Sequence, residues 1–122
     1  MKLSAVRIFV RELEPAKRFY EEVLGLRLTH DGSAFGYCTF ESSGVHVVVE
    51  TIAPGASENE QALVGRFAGL SFGVENIASE YARLTAAGVE FTDQPEKQFW
   101  GGWLATFRDP AGNELQLAQS EA

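Results

Sequence analysis

The chain predicts an α+β fold: two βαβββ modules whose mainly antiparallel, mixed sheets form a cleft. Three observations carry this reading. One plan is written twice, as a strand, the helix "FYEEVLGL" and short strands ending in "GVHVVVE", then as "GLSFGVEN", the helix "ASEYARLTAAGV" and "GGWLATFRDPAGNELQLA". Consecutive strands are joined by tight turns, which makes their pairing antiparallel. Each half holds one helix, enough to cover one sheet face and leave the other to line a cleft. The expected organisation is a single domain over 1–122, with module one at about 1–51, a connector at about 52–66 and module two at about 67–119.

Each element has a local reason. Val6, Ile8 and Val10 alternate with Ala5, Arg7 and Phe9, the period of a half-buried strand. Helix one places Leu13, Ala16, Tyr20, Val23 and Leu24 on one stripe, with Pro15 in its opening turn and Gly25 as a left-handed cap. Lys17–Glu21 and Arg18–Glu22 have the i,i+4 spacing of ion pairs on its wet side. Strands are expected at Leu26–His30, Phe35–Glu41 and Val45–Thr51, separated by turns at Asp31-Gly32 and Ser42-Ser43-Gly44. The polar, Pro- and Gly-bearing stretch "APGASENE" marks the connector, with a helical turn expected near Gln61–Val64. In the second half Leu70, Phe72 and Val74 alternate with Gly69, Ser71 and Gly73. Asn76 caps helix two, Ile77, Tyr81 and Leu84 form its apolar stripe, and Gly88 closes it. Val89–Phe91 is a short strand, Thr92–Gly102 a loop, and Trp103–Arg108 and Glu114–Ala118 the closing hairpin. Asp109-Pro110-Ala111-Gly112 matches a type I turn, so it reads as a hairpin device without a catalytic role.

Charge and cysteine content narrow the function. Ten Lys and Arg against seventeen Asp and Glu give a formal net charge of −7. An acidic surface with no basic stripe argues against nucleic acid and against anionic membranes, and its sign reads either as solubility alone or as a preference for cationic ligands. Arg7 interrupts the N-terminal apolar run too early for a signal peptide, and no apolar run approaches a membrane span, so the expected location is cytoplasmic. The single cysteine, Cys38, excludes an internal disulfide. It sits in an apolar strand pattern, as buried filler or as a reactive thiol. There is no GxSxG, Walker loop, CxxC or dinucleotide fingerprint.

Strand parity places the candidate site. If Val45, Val47 and Val49 pack under helix one, then His46, Val48 and Glu50 face the cleft with Ala5, Arg7 and Phe9. By the same rule Glu114 and Gln116 face it while Leu115 and Leu117 are core, and Gly69, Ser71 and Gly73 leave room for a ligand. His46 with Glu50 or Glu114 is a candidate acid–base pair, and Arg7 a candidate carboxylate clamp. The alternative is that Arg7, Glu50 and Glu114 pair with one another and His46 is a polar filler. Trp100, beside Gly101-Gly102, reads either as a stacking wall over a ligand or as cover for an edge or a dimer contact. Trp103 shares parity with Ala105 and Phe107 and reads as a core plug. Tyr37 and Phe35 share one face of a middle strand, and His30 ends a strand, exposed.

The strand order, with "FYEEVLGL" after the first strand and "FRDPAGNELQL" at the end, resembles the vicinal oxygen chelate superfamily, which includes glyoxalase I, bleomycin-resistance proteins, ring-cleaving dioxygenases and fosfomycin-resistance enzymes. The resemblance spans nearly the whole chain. It implies a homodimer and, in metal-dependent members, four ligands from the first and last strands of each module. Anchored on "FY" and "DPAG", those positions fall on Ala5, Gly69, Gln116 and either Val48 or Glu50. Ala, Gly and Val have no donor atom, so the usual metal site is expected to be absent, and a metal, if held, would have Glu50 and Gln116.

The expectation is therefore a protein that binds a small organic molecule in its cleft through Arg7, Phe9, His46, Glu50, Ser71, Trp100, Glu114 and Gln116, with no cofactor. The alternative is a lyase, isomerase or dioxygenase of the glyoxalase type, dependent on a divalent metal held by a displaced ligand set.

Overall fold

A computed structural model describes residues 1–121. The chain folds into two compact units, Met1–Arg66 and the remainder from Phe67.

The first unit runs β1 (Ala5–Val10), α1 (Leu13–Arg18), β2 (Arg27–Gly32), β3 (Tyr37–Ser42), β4 (Val45–Thr51) and α2 (Glu58–Gln61). Its four strands lie in the order β1-β4-β3-β2. The β1–β4 pair is parallel and the others antiparallel. Alternation sends Ile8, Val10, Cys38, Phe40, Val47 and Val49 to one side, where Ala16, Phe19 and Tyr20 cover them. Tyr20 meets Phe19 edge-on at 5.2 Å between ring centroids and leans on Phe40 at 6.0 Å.

Several local expectations are corrected. Helix one continues past α1 as a π-helical turn over Phe19–Val23, closed by Leu24 N–H donating to Phe19 O at 2.9 Å, before Gly25 ends it at φ 78°. The wider turn takes Glu21 and Glu22 off the i,i+4 row. Lys17 pairs with Asp31 instead, at 2.9 Å. The β2–β3 reversal is not at Asp31-Gly32, which stay in the ladder opposite Cys38 and Tyr37. It lies in a 3₁₀ turn over Ser33–Phe35, because the Asp31 carboxylate accepts from the Ser33 N–H at 2.9 Å and Gly36 supplies the left-handed exit at φ 82°. Phe35 therefore leaves the strand and is exposed, while Tyr37 stays in it. The β3–β4 turn is at Ser43-Gly44 as expected, both with positive φ, the signature of a type I′ hairpin. Segment 52–66 is pinned to the first unit by the Arg11–Gln61 side-chain bond and by the pairing of Val64 beside Phe9. Its helical turn begins earlier than expected, because Ser57 accepts from the Glu60 N–H at 3.3 Å and caps it.

The second unit runs β5 (Phe67–Gly73), α3 (Ile77–Ala86), β6 (Glu90–Phe91), β7 (Glu96–Lys97), β8 (Trp103–Arg108) and β9 (Glu114–Gln119). Its order is β5-β9-β8-β6, with β7 also paired to β8, and only β5–β9 parallel. The extra strand β7 lies inside the expected loop, where the Gln98 N–H donating to Gly102 O at 2.7 Å closes a hairpin onto β8. Asn76 caps α3 by accepting from Ser79 N–H at 3.0 Å. The helix packs on β8 and β9, burying Ile77, Leu84, Ala105, Phe107, Leu115 and Leu117. In both units the helix covers one sheet face and the other stays open, so the α+β class holds with mixed, mainly antiparallel sheets.

Candidate functional site

The open face of the first sheet follows from register. Ala5, Arg7 and Phe9 of β1 stand beside His46, Val48 and Glu50 of β4. Glu41, Thr39 and Tyr37 of β3 come next. Arg7 grips Glu50 through two parallel bonds, Nε to Oε2 at 2.8 Å and Nη2 to Oε1 at 2.7 Å. Both carboxylate oxygens are thereby taken up. The Arg7 guanidinium also lies 5.1 Å from the centre of the Phe9 ring. The hydrogen bond to Glu50, and then its charge, raise the Arg7 pKa above the usual guanidinium value. Arg7 is thus half of an internal ion pair, with only its outer edge left to meet a ligand.

His46 is not brought to Glu50. The two are four positions apart on one strand, about 13 Å along the chain. The carboxylate beside His46 is Glu41, its partner across the β3–β4 ladder. The Gly44 N–H, donated at 2.9 Å, is the main reason the Glu41 carboxyl is held below its usual range, with smaller contributions from Arg27 and His46. His30 is exposed in β2 and stacks on Tyr37 at 5.5 Å.

The open face of the second sheet is a chain of neutral polar groups. Gln116 Nε2 donates to Thr106 Oγ1 at 3.2 Å, and Ser71 Oγ donates to Gln116 Oε1 at 3.4 Å. Glu114 is held by Arg108, whose Nε and Nη2 each lie 3.2 Å from Oε2, while Nη1 reaches Glu90. The hydrogen bond to Glu114, then the hydrogen bond and charge of Glu90, raise the Arg108 pKa. Glu114 is therefore another ion-pair member rather than a free base. Within the first unit Arg7 pairs with Glu50, and within the second Arg108 pairs with both Glu114 and Glu90.

Beside Gln116 the sheet opens into a polar recess of about 220 Å³, walled by Thr106, Leu104, Asp93, Gln94, Glu96 and Gln98. Sequence reading missed all six of these wall residues. Thr106 was within reach, since Ala105 and Phe107 fix its parity. Leu104 shares that parity, and the other four were hidden because β7 pairs through only two residues and its surroundings read as loop. Trp100 is exposed on the β7–β8 hairpin, with its ring lying over Gly102, where a Cβ would overlap it. Trp103 is half-buried on the helix side of the sheet, lining a second cavity, so it is wall rather than plug.

The positions expected from the resemblance to carry metal ligands are Ala5, Gly69, Gln116 and Val48 or Glu50. Val48 and Ala5 offer no donor, the Glu50 oxygens are both bonded to Arg7, and the Gln116 amide is held by Ser71 and Thr106. This donor set does not fit a divalent transition metal. Among the described residues no group of three or more His, Cys, Asp or Glu side chains is placed to hold one. No helix among the described residues is long and apolar enough to cross a membrane.

Known proteins match this chain over almost its full length. The uncharacterized protein YurT of Bacillus subtilis (strain 168) is 32% identical, covering 98% of this chain and 99% of its own. The crystal structure of UcmS2 superposes with a TM-score of 0.84 at 30% identity, covering 98% of both chains. A member of the Glyoxalase/bleomycin resistance protein/dioxygenase superfamily from Sphaerobacter thermophilus DSM 20745 superposes with a TM-score of 0.80 at 28% identity, again over 98% of both chains. A family model matches residues 2–117, and on that match the chain belongs to the Glyoxalase/Bleomycin resistance protein/Dioxygenase superfamily.

Proposed function

We propose that this chain binds a small organic molecule at the Gln116–Thr106 recess of its second sheet and holds it without a metal and without converting it. The observation that carries this reading is the Arg7–Glu50 pair: the one carboxylate available at the superfamily's ligand positions is neutralised from within the same sheet by two bonds of 2.7 and 2.8 Å. What lines the Gln116–Thr106 recess is amides, a hydroxyl and carboxylates, groups that hold a ligand by shape and hydrogen bonds. The recess walls carry two carboxylates, Asp93 and Glu96, and no cation. That balance favours a ligand rich in hydrogen-bond donors. The same reading takes the working form to be a cytoplasmic homodimer, which light scattering on the purified protein tests.

The test has two arms. Purified protein is assayed for bound Ni, Zn, Mn and Fe, and its melting temperature is recorded with and without each ion and with a chelator. The expected result is substoichiometric metal and an unchanged melting point. A stoichiometric metal that raises the melting point by several degrees would overturn the reading in favour of a metal-dependent lyase, isomerase or dioxygenase. In the second arm, small molecules that raise the melting point are titrated into wild type, Gln116→Ala and Thr106→Val. Each lost hydrogen bond is worth about 0.5–1.5 kcal/mol, so affinity should fall by up to about tenfold. Ligands that ignore both changes would rule out the recess as their seat.

A further inference from the structure

The helix-covered side of the second sheet holds a cavity the binding reading does not use. It measures about 510 Å³ and lies between Trp103, Pro95, Gln94, Gln119 and the start of α3, where Glu75, Ile77 and Tyr81 face it. That volume is within the range of small-molecule sites. Its walls come from four places: the start of β8, the end of β9, the approach to β7 and the first turns of α3 with the residues just before it.

We infer that this cavity is a second small-molecule site, selective for a planar organic cation of one aromatic ring. Three features argue for that class. The apolar walls are Trp103, Tyr81, Pro95 and Ile77, and aromatic faces attract a cation that also presents a flat apolar body. Glu75 is the only charged residue of the lining, and among the described residues it has no ion-pair partner. The opening of α3 offers an anion little, because three of its first four N–H groups are already spent. Ile77 N–H donates to Gln119 Oε1 at 2.7 Å, Ser79 N–H to Asn76 Oδ1 at 3.0 Å and Glu80 N–H to Asn76 O at 3.2 Å. An anion would meet the Glu75 carboxylate, whereas an amidinium or anilinium would meet that carboxylate at the rim and π faces inside.

The chain reports on this site itself. Trp100 and Trp103 are its only tryptophans, so in full-length Trp100→Phe protein the indole fluorescence comes from the cavity wall. Benzamidine is the probe, benzyl alcohol its neutral analogue and benzoate its anionic one. Benzamidine should quench Trp103 saturably, benzyl alcohol more weakly, and benzoate not at all. Glu75→Gln should weaken benzamidine by about fivefold or more, and Ala78→Leu, which fills the cavity from a helix position, should abolish the quench. Circular dichroism checks that each variant is folded, and the Trp103 indole N–H resonance gives a second reading if the leucine disturbs α3. The inference is overturned by benzoate binding as well as benzamidine, by an unaltered benzamidine curve in both variants, by no saturation, or by a concentration-dependent Trp103 signal showing that a second copy of the chain fills the cavity. None of these outcomes touches Gln116 or Thr106, so this site and the recess stand or fall separately.

Discussion

Replacing Asn113 by alanine isolates what the "DPAGN" turn does. Asp109 and Asn113 are both buried, at 5% and 1% exposure. Asp109 Oδ1 accepts from the N–H groups of Ala111 and Asn113, both at 2.9 Å. Its other oxygen accepts from Asn113 Nδ2 at 3.0 Å. The backbone closes the same ring, with Asp109 N–H donating to Asn113 O and Gly112 N–H to Asp109 O, each at 3.0 Å. Asn113→Ala removes the side-chain bond to a buried carboxylate. A hydrogen bond to a charged group is worth about 1.5–3 kcal/mol. For a chain of this size each kcal/mol moves the melting point by about 4 °C, so a fall of about 6–12 °C is expected. Urea denaturation should show the same loss with an unchanged slope. Asp109→Asn keeps one acceptor but sets two NH₂ groups against each other, and should cost at least as much. The double change Asp109→Asn, Asn113→Asp reverses donor and acceptor and should recover part of the loss. A single Asn113→Ala loss below about 0.5 kcal/mol would refute the account of this turn as a buried carboxylate cage.

Other outcomes follow from the first unit. Hydrogen bonds from the Ser33 hydroxyl first, then Lys17 and the Ser33 N–H, hold the Asp31 carboxyl well below the ordinary carboxylate range. A folded-state value below the unfolded one stabilises above about pH 4 and stops doing so as pH falls toward the folded value. The melting-point gap between wild type and Asp31→Asn should therefore be constant near neutrality and shrink between about pH 4 and pH 2. A gap independent of pH would contradict the assignment. Gly32→Ala places a Cβ 2.5–2.9 Å from the Tyr37 ring. It should cost about 1–3 kcal/mol by overpacking, seen as a lower melting point and a shifted Tyr37 ring resonance. Cys38 is fully buried, and burial pushes its thiol up. Ellman's reagent at pH 8 should leave the native protein unlabelled and react promptly in urea, and fast native labelling would disprove the burial.

The fold was legible because its signals are periodic. Alternation along Val6–Val10, Val45–Val49 and Leu115–Leu117 gave the buried face of three strands, and hence which side chains stand on the open faces. Asn76, Gly25 and Gly88 marked helix ends because their chemistry there is local. What escaped depends on partners that periodicity does not encode. The π turn after Arg18, the Asp31–Ser33 bond that moves a hairpin reversal, and the two-residue strand Glu96–Lys97 each arise from one or two contacts. At the site, parity found Arg7, Glu50, Glu114 and Gln116 and raised a pairing of Arg7 with the carboxylates, but missed Arg108 as the partner of Glu114. The Arg7–Glu50 contact is decided by register across strands 43 residues apart, which no single-strand pattern carries, whereas Arg108 and Glu114 face each other across the closing hairpin and its turn alone sets them together.

In each unit the first strand lies parallel to the last, β1 beside β4 and β5 beside β9. A strand made early must therefore wait for one completed about forty residues later, and hairpins such as β3–β4 and β8–β9 can zip before either union forms. Closing that long loop is the slow, entropy-limited move. On a ribosome, the opening strand of each half stays an unsatisfied edge until its mate emerges. A nascent chain halted before Glu114 would expose the bare rims of both β5 and β8, and quality-control factors that patrol such rims would meet this protein there.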